Sequence, residues 1–206
     1  MPSEHCRRPL GRLLCTISIL AFGFTAANAG QPRGVEALMS LLAQVEYVRA
    51  EYRETRESSL LSVPISSRGQ LEYRAPDRVA MSSDRGDRFE IDGGTVRILH
   101  KGSLVREVSV YDHESIESLV ATLKGVFSGD LKRLRQDYEL GFRAGDQDWS
   151  FDLVPRTAGS IPQVAIAQVS VFGAGAVIQR IELTESNGDV RRLRMRILER
   201  RPPSLP

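Results

Sequence analysis

Beyond residue 29 the chain has two histidines, His100 and His113, and no cysteine. His100 sits near the end of an alternating stretch and His113 at the start of a helical one. With Asp112 or Glu114 adding a carboxylate, they can be weighed as metal ligands. The reading adopted is no metal and no cofactor. A catalytic triad needs a positioned Ser, His and carboxylate, and no Gly-x-Ser-x-Gly elbow is present. Gly173-Ala-Gly175 lacks the rest of a dinucleotide fingerprint and does not open a helix. Gly93-Gly94 reads as a turn rather than a phosphate cradle, and Glu182 and Glu185 read as solvated strand positions. The sequence is therefore read as non-catalytic. An esterase acting on acyl groups is disfavoured by the missing nucleophile constellation.

The elements that must position any site begin after a leader. Arg7, Arg8 and Arg12 form a cationic region, Leu13 to Phe24 is apolar, and Ala27-Asn28-Ala29 is a small-x-small cleavage site. That order is a secretory signal peptide over 1–29. The apolar part is too short to span a bilayer as a stable helix. Cys6 and Cys15 leave with it. An exported protein without disulfides relies on its apolar core, and 30–200 is expected to form one domain. The leader carries three Arg and one Glu, so the remainder is formally neutral. This argues against a nucleic-acid partner, which would need an unbalanced basic field. Arg far outnumbers Lys, of which only Lys101, Lys124 and Lys132 occur; no function is read from that bias.

Val35, Leu38, Met39, Leu42 and Val45 repeat at helical spacing and predict a helix over roughly 34–46. Alternation follows from Val48, Ala50 and Tyr52. Leu60, Leu61, Val63 and Ile65 carry the chain to Leu71, Tyr73 and Ala75, which fall on one side of a strand. Pro76 ends the pairing and Val79 and Met81 resume the alternation, so a strand, a kink and a second strand are expected. Phe89 and Ile91, then Val96 and Ile98, then Leu104 to Tyr111 read as further strands. Ile116, Leu119, Val120, Leu123, Val126 and Phe127 fit a helix with Asp112 as its cap, and Asp130 can cap a short helical turn after Gly129. Strands return from Tyr138, with Trp149, Phe151 and Leu153 alternating, a loop over 156–163 and a hairpin around Asn187-Gly188, in whose second arm Leu193, Met195 and Ile197 face in while Arg192, Arg194 and Arg196 face out. The tail 201–206 is expected to be disordered. About ten or eleven antiparallel strands and two main helices result. A sheet this large curls, and its concave face needs cover. The expected fold is mainly β with α: an unclosed antiparallel half-barrel under a helical lid.

The ordered set of a helix, Val48-Arg-Ala-Glu-Tyr52, Gly69-Gln-Leu-Glu-Tyr73 followed by Pro76, Asp92-Gly93 with Thr95-Val96, Asp148-Trp-Ser-Phe-Asp-Leu-Val-Pro155 and the Asn187-Gly188 hairpin resembles the LolA-like outer-membrane lipoprotein carriers. Phe127-Ser-Gly-Asp-Leu131 followed by Tyr138-Glu-Leu140 resembles a divergent branch of that family, serving other acylated products. The resemblance covers nearly the whole chain after the leader. It implies a periplasmic carrier in a Gram-negative bacterium that takes lipidated cargo, a lipoprotein or another lipid, from an inner-membrane exporter to an outer-membrane acceptor. A monomer is expected. Lipoprotein carriers of the family place Arg immediately before the motif proline to hold the lid shut. Here Ala75 stands there and Arg74 points to the opposite face of the strand.

On this reading the acyl chains would enter a cavity walled by Tyr52, Leu71, Tyr73, Met81, Phe89, Ile91 and Ile98 from the first strands. Phe142, Trp149 and Phe151 would come from the later ones, and Ile116, Leu119 and Leu123 from the lid. Each of these could equally be ordinary core. The alternative function is a periplasmic lipid-sensing or regulatory binding domain.

Overall fold

The computed structural model describes residues 32–112, 114–156 and 166–202, with backbone alone over 114–119. The expected leader, His113, most of the 156–163 loop and the tail beyond Pro202 lie outside the described residues.

Strand β1 (Tyr47–Glu57) begins the sheet, followed by β2 (Ile65–Arg74), β3 (Arg78–Ser83), β4 (Asp87–Asp92), β5 (Thr95–His100) and β6 (Ser103–Ser109). Each pairs antiparallel with the next. A second meander runs through β7 (Tyr138–Ala144), β8 (Trp149–Pro155), β9 (Ile166–Ala174), β10 (Val177–Glu185) and β11 (Val190–Arg201). The last strand pairs with the first, which joins the meanders into one eleven-stranded sheet of order β6-β5-β4-β3-β2-β1-β11-β10-β9-β8-β7. Its edges, β6 and β7, do not meet, so the barrel is unclosed as expected. Strand β11 includes Arg201, one residue into the expected tail. The Arg201 carbonyl accepts from the Glu46 amide, and its guanidinium lies 4.3 Å from the Tyr47 ring.

Helix α1 (Val35–Leu42) precedes the sheet; α2 (Glu114–Ser128) and α3 (Leu131–Asp137) run between the two edge strands. Helix α1 buries Leu38, Met39 and Leu42 and is shorter than the apolar period suggested. Val45 is also buried, but as part of the connection to β1. A single 3-10 turn, Val110–Asp112, replaces the expected end of the strand before α2. Asp130 caps α3 as expected, its carboxylate accepting from the Arg133 amide at 3.0 Å.

The proline of the Tyr73–Met81 stretch does more than kink a strand. Leu71 is opposite Met81 and Tyr73 opposite Val79, so β2 and β3 are two arms of a hairpin and Pro76 lies in its turn. A proline cannot donate to a ladder, and a turn is where that missing donor costs least. Both arms still present their apolar residues to one face, because pairing partners share a face.

Two glycines set the close packing. At Gly129, φ is +70°, and a Cβ would lie 2.2 Å from the Met39 carbonyl oxygen, so only glycine lets the α2–α3 corner rest on α1. At Gly173, a Cβ would sit 2.4 Å from the Trp149 ring, so the bare backbone of β9 is the seat for that indole. The Trp149 Nε1–H donates to the Gly175 carbonyl at 2.8 Å.

Candidate functional site

Register places a continuous apolar surface on the concave face. One row runs Tyr73, Val79, Ile91, Val96 and Val108 across β2 to β6. The next runs Leu71, Met81, Phe89 and Ile98 across β2 to β5. On the other half Phe142, Phe151, Val171, Ile181 and Leu193 align across β7 to β11.

Helix α2 covers the first row. Phe127 stacks on Tyr73 at 5.4 Å between centroids. Lys124 donates to the Gly93 carbonyl at 2.6 Å and pairs with Asp77 at 3.4 Å, tying the helix to turns of the first meander. The Thr122 hydroxyl shares a buried hydrogen bond of 2.6 Å with the Tyr138 hydroxyl, tying the same helix to β7. The lid therefore spans the gap between the sheet's two edges. Glu36 pairs with Arg135, linking α1 to α3. That ion pair holds the Glu36 carboxyl below its ordinary range.

The expected wall residues separate into three groups. Tyr52, Leu71, Tyr73, Ile91, Trp149 and Phe151 are buried. Met81, Phe89, Leu123 and Phe142 are half-buried against that core. Ile98 lies on the same face but is 40% exposed, at the rim. Ile116 and Leu119 fall in α2, where side chains lie outside the description. The half-buried group also includes Leu183, Leu193 and Met195. Leu193 and Met195 were legible as inward-facing from the alternation of β11, yet that signal did not mark them as wall residues.

One apolar space beneath the helices, between Leu42, Tyr73, Phe127, Ile178 and Met195, amounts to about 20 Å³, room for about one water. The more open part of the concave face carries Met81 and Phe89, both half-buried, and Ile98, 40% exposed. Burial pushes the Tyr73 phenol up to about 12, with Asp77 adding to the shift. Burial also raises Tyr52, helped by Glu54. Both groups stay neutral at physiological pH and act as amphipathic wall.

Arg74 projects from the other face and lies 5.3 Å from the Tyr47 ring, away from the helices. Ala75 is half-buried against the core, its amide bonded to the Glu46 carbonyl at 2.8 Å. Neither residue makes a hydrogen bond or ion pair to the lid among the described residues. In the described structure Lys124 and Thr122 hold it. His100 bonds to the Asp87 carboxylate at 2.8 Å, both side chains being exposed. Among the described residues no group of three or more His, Cys, Asp or Glu gathers as a metal site. The arrangement can exclude water from an apolar chain.

A family model described as "Outer membrane lipoprotein carrier protein LolA-like" matches residues 27–196. No curated protein matches the sequence. Among solved structures, a LolA superfamily protein from Nitrosomonas europaea is similar at 10% identity and a TM-score of 0.41, covering 84% of this chain and 94% of that one. A putative outer membrane lipoprotein-sorting protein domain from Vibrio parahaemolyticus shares 12% identity at a TM-score of 0.39, covering 83% and 94%. A DUF1329 family protein from Desulfovibrio piger shares 7% at 0.45, covering 82% and 90%. By the extent of the family match, the chain belongs to the LolA-like family of outer membrane lipoprotein carrier proteins.

Proposed function

We propose that the protein is a non-catalytic periplasmic carrier that shields the acyl chains of a lipid or lipoprotein between the inner and outer membranes. The observation that carries this reading is the concave apolar face, part covered by a helix tied to both sides of an unclosed sheet and part more open at Met81, Phe89 and Ile98. Burying a methylene gains about 0.8 kcal/mol, so a sixteen-carbon chain represents roughly 12 kcal/mol. A chain that long does not cross water unsheathed. A chain entering the small space beside Phe127 parts that ring from Tyr73, and the cost offsets some of that gain. Offsetting is what a carrier needs, since it must also release. The donor on this reading is an inner-membrane exporter and the acceptor an outer-membrane component, with the carrier working as a monomer.

The test is purification of the native protein from periplasm, organic extraction and mass spectrometry of the extract. A carrier yields a stoichiometric acylated species. A protein that returns no apolar ligand, and that takes up no fatty acid when one is supplied, is not a carrier.

A further inference from the structure

Strands β10 and β11 do not stay paired along their length. Their ladder runs from Thr184 opposite Val190 to Arg180 opposite Arg194 and stops. Beyond it Val177 and Ile178 pair with β9, and Gln179 falls at an irregularity before Arg180. Met195, Arg196 and Ile197 follow β1 instead. The two strands splay, and a cavity of about 970 Å³ opens where they part. Val177, Met195 and Ile197 line it, and the same three residues line the small apolar space beneath α1 and α2. The splay thus forms a common wall between an open outer cavity and the covered interior.

The outer cavity is cationic. Arg143, Arg180, Arg194 and Arg196 line it, against one carboxylate in the lining, Asp148. Three of these arginines have partners: Arg143 with Asp152 at 2.6 Å, Arg180 with Glu182 at 3.3 Å, and Arg196 with Glu51 at 2.6 Å. Arg180 also stacks over Phe172 at 3.8 Å. The Arg194 side chain is exposed and makes no ion pair or hydrogen bond among the described residues. It stands directly between Arg53 on β1 and Arg180 on β10 in the ladder. Like charges directly opposite one another destabilise a sheet. Three arginines in register on adjacent strands, the middle one unpaired, suit an incoming anion, whose binding would relieve that repulsion.

We propose that the β10–β11 splay is the head-group site of an anionic amphiphile. The phosphate or carboxylate head binds Arg180 and Arg194, and the tail passes Val177 and Met195 into the apolar space under the helices. This rests on the acyl-carrier reading and adds to it the charge of the cargo and its route of entry.

The test compares four probes on the intact protein: monopalmitoyl glycerol phosphate, neutral monopalmitoylglycerol of the same chain, palmitate and inorganic phosphate. Trp149 borders the cavity and is the chain's sole tryptophan, so its fluorescence reports binding. The two anionic lipids are expected to bind at least about tenfold tighter than the neutral one. The Arg180→Ala/Arg194→Ala variant should reduce that ratio to near one while keeping the wild-type circular dichroism and neutral-lipid affinity. Equal affinity for charged and neutral lipids overturns the head-group site and leaves the carrier reading standing. No binding of any lipid overturns both. Inorganic phosphate binding as tightly as its acylated form reduces the site to a free-anion pocket and overturns the route for the tail.

Discussion

The two faces of the one sheet are built on opposite terms. On the concave side Phe151, Leu153, Val171 and Leu71 are buried and interlocked, and Trp149 stacks on Phe151 at 6.0 Å between centroids. On the convex side the same strands present a ladder of arginines and carboxylates, such as Arg78 with Asp92 and Arg97 with Glu107, each at 2.6 Å. Apolar burial is worth kilocalories per side chain, whereas an exposed ion pair is worth a fraction of one. Stability therefore belongs to the concave face. The convex face is free to carry specificity, and the difference tells where substitution should unfold the protein and where it should only alter what the protein binds.

The largest effect should come from Phe151→Ala. Its ring is 0% exposed, and truncation there should cost about 3–5 kcal/mol in chemical denaturation. Next, Gly129→Ala should lose about 1–2 kcal/mol from the left-handed backbone alone, and more because its Cβ meets the Met39 carbonyl. Alkaline titration probes the same face. The ordinary phenol value is 10.0 and that of Tyr73 about 12, so between them the native state holds a proton the unfolded chain releases. The resulting stability is complete below pH 10 and is lost as pH rises toward 12, which a series of denaturation midpoints measures. Thr122→Val removes the bond to Tyr138 and should cost about 1–2 kcal/mol while raising the rate of fatty-acid uptake, since it loosens the lid. Smallest of all, Arg196→Ala breaks an exposed pair with Glu51 and should change stability by less than about 1 kcal/mol. A convex-face change as damaging as Phe151→Ala would remove the contrast between the faces.

Much of this contrast was legible in the sequence. Alternation alone assigned Leu71, Tyr73, Phe151 and Met195 to one face and Arg74, Arg194 and Arg196 to the other, because a strand's period is fixed by its backbone. The lid was legible from the change of period after Tyr111. Two things were not. The sequence around Pro76 suits a bent strand and a hairpin equally, and pairing of Leu71 with Met81 decides between them. Depth of burial was also hidden: Met81 and Phe89 stay half open while Ile91 is closed, according to where α2 lies, and that depends on contacts such as Lys124 with Gly93, distant in sequence. For the same reason Leu71, a natural target for a charged substitution, is too deeply buried for that variant to separate folding from binding.

Phe89 can separate them, being half-buried on the more open part of the concave face with its strand partners Met81 and Ile98. The central claim is that this part of the face receives acyl chains. Native mass spectrometry of wild type and Phe89→Glu, each incubated with palmitate, tests it most directly. The account predicts a bound fatty acid on the wild type and at least about tenfold less on a variant with unchanged circular dichroism, since a carboxylate beside an acyl chain is costly to desolvate. Equal loading of the two proteins would contradict it.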